Sequence, residues 1–358
     1  MPEQEKRRRS SDRARGPETA TRWLLVLFLV GLCERGYLYY SLQLLHQPQV
    51  WMDVVQGTSS APEQYRIGVV DAAYWLSRHV GWQGHWLRMS RAFGLFDVAG
   101  AVAAVLLLYG LVERSELYRR GSAAMRWFAS AGFVALALYA LDWTIWYQKV
   151  GTLPTAGLVA LMVWLWTPRG SRSAGAGPTA EAWTEEALTA AALLALVAVQ
   201  SLIRADIALV LCAGVLAASG LRLGGPLALR RGAAMATSAA GVGVALGVQL
   251  YLMKVAYPQA SYQGVPALML SHDALHASLW VATVIYLAPL AWTTREAVRQ
   301  RRMGDGVGAA VLLSSWGYAA LWITMGRLDE VRIFLPMALA VTPLTVEMAL
   351  RRMAGDAA

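Results

Sequence analysis

The sequence predicts an all-α fold, a polytopic transmembrane helix bundle of about ten spans with both termini in the cytoplasm. Of the 358 residues, 57% are hydrophobic, which is too high a fraction for an ordinary water-soluble domain. Apolar stretches of about 20 residues, the length that crosses a membrane core of about 30 Å, recur along nearly the whole chain. With the N-terminus placed inside, most of the 32 Lys and Arg residues fall in cytoplasmic segments, as the positive-inside rule requires.

The spans divide the chain into a tail, a membrane domain and short loops. Residues 1–21 are basic and polar and are expected to form a disordered tail, followed by a transmembrane domain over 22–352 and a cytoplasmic end at 353–358. A segment rich in Gly, Ser and Pro at 168–186 is expected to be a flexible cytoplasmic linker. The first apolar stretch is interpreted as an uncleaved signal anchor. The predicted spans are 23–45, 92–112, 127–148, 152–167, 187–203, 206–221, 233–253, 277–294, 307–325 and 333–350.

Two longer segments lie on the predicted outer side. The first periplasmic loop, 46–91, contains residues 65–80, in which apolar side chains recur at helical spacing. This pattern predicts an amphipathic helix that lies flat at the membrane interface. The second periplasmic loop, 254–276, has a similar composition and is also predicted to be interfacial.

The composition excludes several classes of function. The net charge of +9 is explained by the positive-inside bias and by attraction to membrane lipids, so no nucleic-acid binding is predicted. The cysteines, Cys33 and Cys212, lie within apolar spans and predict neither a disulfide nor a metal site. His272 and His276 have the i,i+4 spacing that can hold a metal, but no HExxH motif accompanies them. Interfacial histidines are the preferred interpretation, and no metal or other cofactor is predicted.

Polar residues of the first periplasmic loop are candidates for catalysis. Asp53 and Glu63 are carboxylates, which can act as general bases for an attacking hydroxyl when they lie in a sheltered site. Arg66 follows Glu63 in the chain, and the fork of a guanidinium suits phosphate oxygens. Ordinary ion pairs on a solvated loop are the alternative interpretation.

Two further charged segments are predicted on the same side. The segment before the last span, GRLDEVRIFLP, contains Arg327, Glu330 and Arg332, and pairs of opposite charge at i,i+3 can hold both arginines in fixed poses. Arg204 and Asp206 form a similar pair of opposite charges in a tight turn predicted between two spans. We expect these arginines to face an anionic ligand. Anchoring of the helices at the membrane interface is the alternative.

Charged residues inside the predicted spans indicate a different class of function. Glu34, Arg35, Asp97 and Asp142 lie within spans or near their ends, and a charge at a helix centre costs about 2.5–3.5 kcal/mol on the insertion scale. Such residues can line a gated polar path, which would suit a transporter or flippase for an anionic lipid. Hydrogen bonds between packed helices are the alternative.

Several short motifs follow one another along the chain. They are WMD at 51–53, EQYR at 63–66, LLLYGLVER at 106–114, IRAD at 203–206 and DEVRIFLP at 329–336. Together with the topology, these motifs resemble the GT-C superfamily of polytopic membrane glycosyltransferases, particularly its bacterial relatives. The resemblance implies an all-α bundle whose first outer loop contains the catalytic carboxylate and membrane-parallel helices. It also implies a polyprenyl-phosphate-linked sugar as the donor.

The resemblance also assigns roles to individual residues. It implies that Asp53 is the catalytic base, with Glu63 as the second choice. The residues that it places at the lipid phosphate are Arg66, Arg204, Arg327, Glu330 and Arg332. We therefore expect a glycosyltransferase of the bacterial inner membrane that acts on the periplasmic side of the cell envelope. The alternatives are a non-catalytic membrane subunit that binds a partner, a transporter or flippase for an anionic lipid, and a haem or metal redox protein.

Overall fold

The computed structural model describes residues 19–27, 29, 31, 49–61, 63–80, 85–145, 150–168, 180–260, 276–300, 306–325 and 331–356. Every regular element within these ranges is helical, which confirms the all-α prediction. After a helical stretch at 19–27, the helices are α1 (Gln49–Gln56), α2 (Ile67–His79), α3 (His85–Arg114), α4 (Glu116–Arg120), α5 (Ala123–Ile145), α6 (Thr152–Trp166), α7 (Ala180–Gly220), α8 (Arg231–Tyr251), α9 (Ala277–Arg299), α10 (Gly306–Met325) and α11 (Leu335–Asp356). Two 3-10 turns, Glu63–Tyr65 and Val331–Phe334, precede α2 and α11, and a π-helical turn, Leu252–Ala256, follows α8.

Among the described residues, six helices are long and apolar enough to cross a membrane. They contain the segments Arg88–Arg114, Ala123–Leu141, Ala182–Gly220, Arg231–Ala256, Ala277–Arg299 and Gly306–Met325. Helix α6 is apolar but has only 15 residues, and α11, which corresponds to the last predicted span, is not one of the six. The chain is therefore a multi-pass membrane protein by the length and composition of its helices. The count of about ten spans and the orientation of the bundle remain predictions.

Helix α7 is a hairpin whose two arms run in opposite directions. Arg204 has non-helical backbone angles, φ −155° and ψ 88°, near the middle of this 41-residue segment. The backbone N–H of Arg230 donates to Glu186 near the start of α7, and the guanidinium of the next residue, Arg231, donates to the carbonyl of Gly220 at its end. Because neighbouring residues contact both ends of α7, the chain must reverse at Arg204. This reversal matches the tight turn that the sequence predicts.

Close contacts at glycines determine how the helices pack. A Cβ atom built on Gly100 of α3 would lie 2.4 Å from the carbonyl oxygen of Leu153, and one built on Gly157 of α6 would lie 2.8 Å from the carbonyl oxygen of Gly100. Gly214, in the second arm of α7, is similarly close to the carbonyl of Ala310 in α10. Small residues are favoured at such crossings because membrane helices associate mainly by close packing. These contacts bring α3 against α6 and α7 against α10.

The helices of the first loop pack over the turn of the α7 hairpin. Helix α2 buries Val69, Val70 and Ala73. These residues belong to one apolar cluster with Trp51 of α1 and Ile203, the residue before the hairpin turn. The helix predicted within 65–80 is therefore present, and its apolar face contacts the protein. This packing places the first loop beside Arg204.

Parts of the predicted domain organisation differ from the structure or fall outside it. Most of the first predicted span, 23–45, lies outside the described residues. The predicted flexible linker at 168–186 is helical from Ala180 onward. The physical reason is the buried Glu186, whose carboxylate is bonded to Arg230 Nε at 2.7 Å and so fixes the first turns of α7.

Candidate functional site

The turn of the α7 hairpin is a compact polar cluster. The Arg204 guanidinium donates to both carboxylate oxygens of Asp206, from Nε at 3.2 Å and from Nη2 at 2.5 Å. Tyr318 of α10 completes the cluster, because its hydroxyl accepts a hydrogen bond from Arg204 and donates one to Asp206 Oδ2 at 2.9 Å. A planar guanidinium binds a carboxylate strongly in this two-pronged geometry, which also fixes its orientation. We call Arg204, Asp206 and Tyr318 the apex cluster.

The backbone at the apex cluster is supported by a buried amide. The break at Arg204 interrupts the helical hydrogen bonding, and a buried carbonyl without a partner would be costly. Here the carbonyl of Arg204 accepts a hydrogen bond from Gln200 Nε2 at 3.2 Å. Gln200 is fully buried and also donates to Thr155 Oγ1 of α6 at 3.3 Å. The apex is therefore anchored to α6 as well as to α10.

Arg66 brings a second guanidinium close to the apex cluster. It precedes α2, and its backbone N–H donates to the carbonyl of Glu63 at 3.0 Å. Burial lowers the pKa of Arg66 below its ordinary value, and the positive charge of Arg204 lowers this pKa further, whereas Asp206 and Glu63 act in the opposite direction. Arginine stays protonated in proteins, so burial and the nearby charge of Arg204 both make the charged form of Arg66 costly. An anion bound beside Arg66 would offset this cost.

The charged groups of the site are unequally accessible. The Arg204 side chain is only 9% exposed, while the Asp206 side chain is 40% exposed. Arg66 is half-buried, and no hydrogen bond or ion pair of its guanidinium occurs with the residues that the structure describes. An incoming anion would therefore contact Arg66 directly, and Arg204 would act on it mainly through its charge.

The first loop ties the two predicted catalytic carboxylates to the same small fold. Gln64 is fully buried, donates to the carbonyl of Val54 at 3.0 Å and accepts from the backbone N–H of Ser59 at 3.0 Å. These bonds join the 3-10 turn that contains Glu63 to the end of α1, which contains Asp53. The sequence places both carboxylates in one loop, and the structure holds that loop in a defined conformation.

The two carboxylates differ in what they face. Asp53 is half-buried, and its Oδ1 lies 3.5 Å from Thr58 Oγ1 in the turn after α1. Glu63 is the loop carboxylate whose charge acts on Arg66. Glu63, which the sequence ranks second as a base, is thus the carboxylate whose charge acts on Arg66, whereas the contact of Asp53 is with the turn after α1.

The structure describes only part of the charged segment that precedes the last predicted span. Arg327, Glu330 and the side chain of Arg332 lie outside the described residues. The backbone of Arg332 belongs to the 3-10 turn that ends at Phe334, and the Phe334 ring stacks on Tyr318 with centroids 6.2 Å apart. The turn that contains Arg332 is therefore adjacent to the apex cluster.

Tyr318 and Gln200 belong to the site but were not predicted from the sequence. Each is a single polar residue in a long apolar stretch, where a buried tyrosine most often serves packing. The hydrogen bond between Arg204 and Tyr318 joins residues 114 positions apart in the chain. Only an indirect signal could have identified them. A hydroxyl or amide in the middle of an apolar span needs a polar partner, and Arg204 and Asp206 are among the few polar groups that could serve.

The residues of the rival hypotheses are only partly described. Asp97 is buried in α3 at 3% exposure, whereas Glu34, Arg35 and the side chain of Asp142 lie outside the described residues. His276 precedes α9, and His272 is not described. Within the part of the chain that the structure describes, no group of three potential metal ligands occurs. The transport and metal hypotheses therefore stay predictions.

Comparison with known proteins adds no family assignment. No family model matches the chain, and neither a curated protein nor a solved structure is significantly similar to it. The resemblance to the GT-C superfamily therefore stays a hypothesis based on motifs and topology. The charges and geometry of the site around the apex cluster are the remaining guide to function.

Proposed function

We propose that the chain is an integral membrane glycosyltransferase of the bacterial inner membrane, which transfers a sugar from a polyprenyl-phosphate donor on the periplasmic side. The observation that supports this most is the packing of the start of α2 against the turn at Arg204: a Cβ atom built on Gly68, two residues after Arg66, would lie 3.0 Å from Ile203 Cγ1. This packing brings Arg66 near Arg204, and the charges of Arg204 and Glu63 both act on Arg66. Paired guanidinium groups suit a phosphate, and a neighbouring carboxylate can serve as a general base. The resemblance to the GT-C superfamily supports the same assignment.

The proposed reaction is a transfer from phosphate to a hydroxyl. A carboxylate of the first loop, Asp53 or Glu63, accepts the proton of the acceptor hydroxyl while the hydroxyl oxygen bonds to the anomeric carbon of the sugar. The bond between this carbon and the phosphate oxygen breaks, and the polyprenyl phosphate leaves with the electron pair. Negative charge on the phosphate grows in the transition state, so fixed positive charges nearby lower the barrier.

The two arginines would contribute to this reaction in different ways. Arg66 is half-buried, and its exposed part would bond to the phosphate oxygens. Arg204 is already bonded to Asp206 and Tyr318, so it would contribute a fixed positive charge without changing its partners. Such preorganisation is favourable because no reorientation is needed as charge develops.

The hydrogen bonds that already join Arg204 to Asp206 and Tyr318 also favour a second candidate, a non-catalytic membrane subunit. In that case the apex cluster only joins α7 to α10, and the first loop binds a partner protein. Trp75 of α2 is 61% exposed, and exposed aromatic residues are enriched in the centres of protein interfaces. A stable partner that co-purifies with the chain would support this candidate.

A donor-consumption assay separates the two candidates. Purified protein in nanodiscs would be incubated with a panel of radiolabelled polyprenyl-phosphate sugars and a membrane extract as the source of acceptor. We expect loss of label from the donor, and a decrease of about 100-fold or more in at least one of Asp53→Asn and Glu63→Gln, as is typical for a lost general base. Glu185→Gln is the control, because Glu185 is exposed and lies near the start of α7, away from the turn at Arg204.

The outcomes of this assay are distinct. Activity that survives in both Asp53→Asn and Glu63→Gln would remove the base assignment. No consumption of any donor by the wild-type protein, together with a stoichiometric partner, would favour the non-catalytic subunit.

A further inference from the structure

A cavity of about 420 Å³ lies at the end of the bundle opposite the apex cluster. It is bounded by the end of α3, α4, the end of α6, the start of α10 and one face of α11. The carbonyl of Trp166, at the end of α6, accepts a hydrogen bond from the backbone N–H of Ala228, two residues before Arg230 at the base of the α7 hairpin. The cavity therefore lies at the end that the positive-inside rule assigns to the cytoplasm. Its volume is within the range of about 300–1,000 Å³ that is usual for small-molecule sites.

The cavity has an apolar wall and a charged rim. Val163, Val311 and Leu344, which are buried, contribute to the wall. The charged residues at the rim are Arg114, Glu116, Arg119 and Glu347. This combination suits a ligand that has an apolar part and a charged head.

The carboxylates at the rim already have arginine partners. Glu116 pairs with Arg120 at 2.7 Å, and Glu347 pairs with Arg351 at 2.5 Å. Arg119 makes no ion pair with any residue in the ranges that the structure describes. The rim therefore has an available positive charge at Arg119, while the negative charges of Glu116 and Glu347 are neutralised by Arg120 and Arg351.

Arg114 adds a second cation in a fixed position. Its guanidinium carbon lies 3.4 Å from the centre of the Trp164 ring, which holds the side chain against α6. Arg114 and Arg119 belong to adjacent helices, α3 and α4, which meet at Ser115 on the same rim. Two arginines at one rim match the charge and hydrogen-bonding geometry of a phosphate group.

We propose that this cavity binds the phosphate headgroup of an anionic phospholipid from the cytoplasmic leaflet, with the start of the acyl chains along the apolar wall. Anionic lipids are concentrated in that leaflet and are attracted to basic segments at its surface. A free phosphate would make no use of the apolar wall, and a zwitterionic lipid would make less use of the net positive rim. The proposal is independent of glycosyl transfer, because the two sites lie at opposite ends of the bundle.

Native mass spectrometry of the full chain in detergent tests the proposal. The protein would be titrated with phosphatidylglycerol, phosphatidylcholine or inorganic phosphate. We expect phosphatidylglycerol to bind at least about ten-fold more tightly than either of the others, and Arg119→Gln to weaken its binding about ten-fold, as for one lost hydrogen bond to a charged group. Arg295→Gln is the control, because Arg295 is also an exposed arginine, lies near the end of α9 and does not line the cavity. It should change the affinity by no more than about two-fold.

Three results would overturn the proposal in whole or in part. Equal losses in Arg119→Gln and Arg295→Gln would show a diffuse attraction to a basic surface instead of a site. Inorganic phosphate that binds as tightly as phosphatidylglycerol would remove the lipid and leave a free-phosphate site. Val311→Phe fills the apolar wall without changing the rim, so unchanged phosphatidylglycerol binding in this variant would exclude the cavity. If Val311→Phe does not fold, the comparison of the two arginine variants still decides.

Discussion

Replacing Tyr318 with phenylalanine removes the hydroxyl that joins α10 to the apex cluster and keeps the ring that stacks on Phe334. The lost hydroxyl has two charged partners, Arg204 and Asp206. A hydrogen bond to a charged group contributes about 1.5–3 kcal/mol, so two independent bonds would contribute about 3–6 kcal/mol. Arg204 and Asp206 still bind each other in the variant, and the exposed side of Asp206 can be hydrated. We therefore expect Tyr318→Phe to lower the free energy of unfolding by about 2–3 kcal/mol.

Tyr286→Phe provides the matched control for this prediction. Tyr286 is equally buried in the same aromatic cluster, but its hydroxyl donates to a neutral group, the carbonyl of Ala140, over 3.3 Å. A neutral and long hydrogen bond predicts a loss of about 1 kcal/mol or less. Both variants would be unfolded in parallel by titrating SDS into mixed micelles and following tryptophan fluorescence. Equal losses in the two variants, or no loss in Tyr318→Phe, would refute the role assigned to the charged partners of Tyr318.

Two further predictions use the same unfolding measurement. Gly100→Ala should destabilise the protein by about 1–3 kcal/mol, because its Cβ would clash with the backbone of α6, whereas Gly243→Ala, which has open space in α8, should be neutral or stabilise by up to about 1 kcal/mol. Equal effects would contradict the close crossing of α3 and α6. Burial raises the pKa of Asp71 above its ordinary value of 3.8, so the folded state disfavours the ionised form. Asp71→Asn should therefore stabilise the protein at neutral pH, and the gain should shrink as the pH falls toward 3.8; a gain that does not depend on pH would contradict this.

The parts of the fold that follow from local pattern could be predicted from the sequence. Helix α2 was predicted from the spacing of its apolar residues, which is a property of one short segment. The reversal in α7 was predicted because Arg204 and Asp206 lie between two apolar stretches, and such charges are costly in the middle of a span. The early start of α7 was not predicted, because the bond of Glu186 to Arg230 joins segments 44 residues apart.

The residue types of the candidate site around the apex cluster could be predicted from the sequence, but their assembly could not. Residue type alone identified Arg66, Arg204 and Glu63 as candidates, since each has a chemical group suited to phosphate or proton transfer. Their grouping depends on the packing of α2 against α7, which local pattern does not encode. Tyr318 was missed for the same reason.

The cavity at the end of the bundle opposite the apex cluster was not predicted at all. Its walls come from α3, α4, α6, α10 and α11, which are far apart in the chain. In the sequence, Arg114 and Arg119 appear only as part of the positive-inside signal. Their position at one rim depends on the packing of the helices around the cavity.

A cryo-EM structure of the protein in nanodiscs with polyprenyl phosphate tests the central claim most directly. The proposed function predicts density for a phosphate that contacts the Arg66 guanidinium beside the apex cluster, with the pair of Arg204 and Asp206 unchanged and a loop carboxylate, Glu63 or Asp53, facing the same space. An apex without phosphate, with Arg66 bonded to Glu63 and no lipid at the first loop under saturating ligand, would contradict the proposed function.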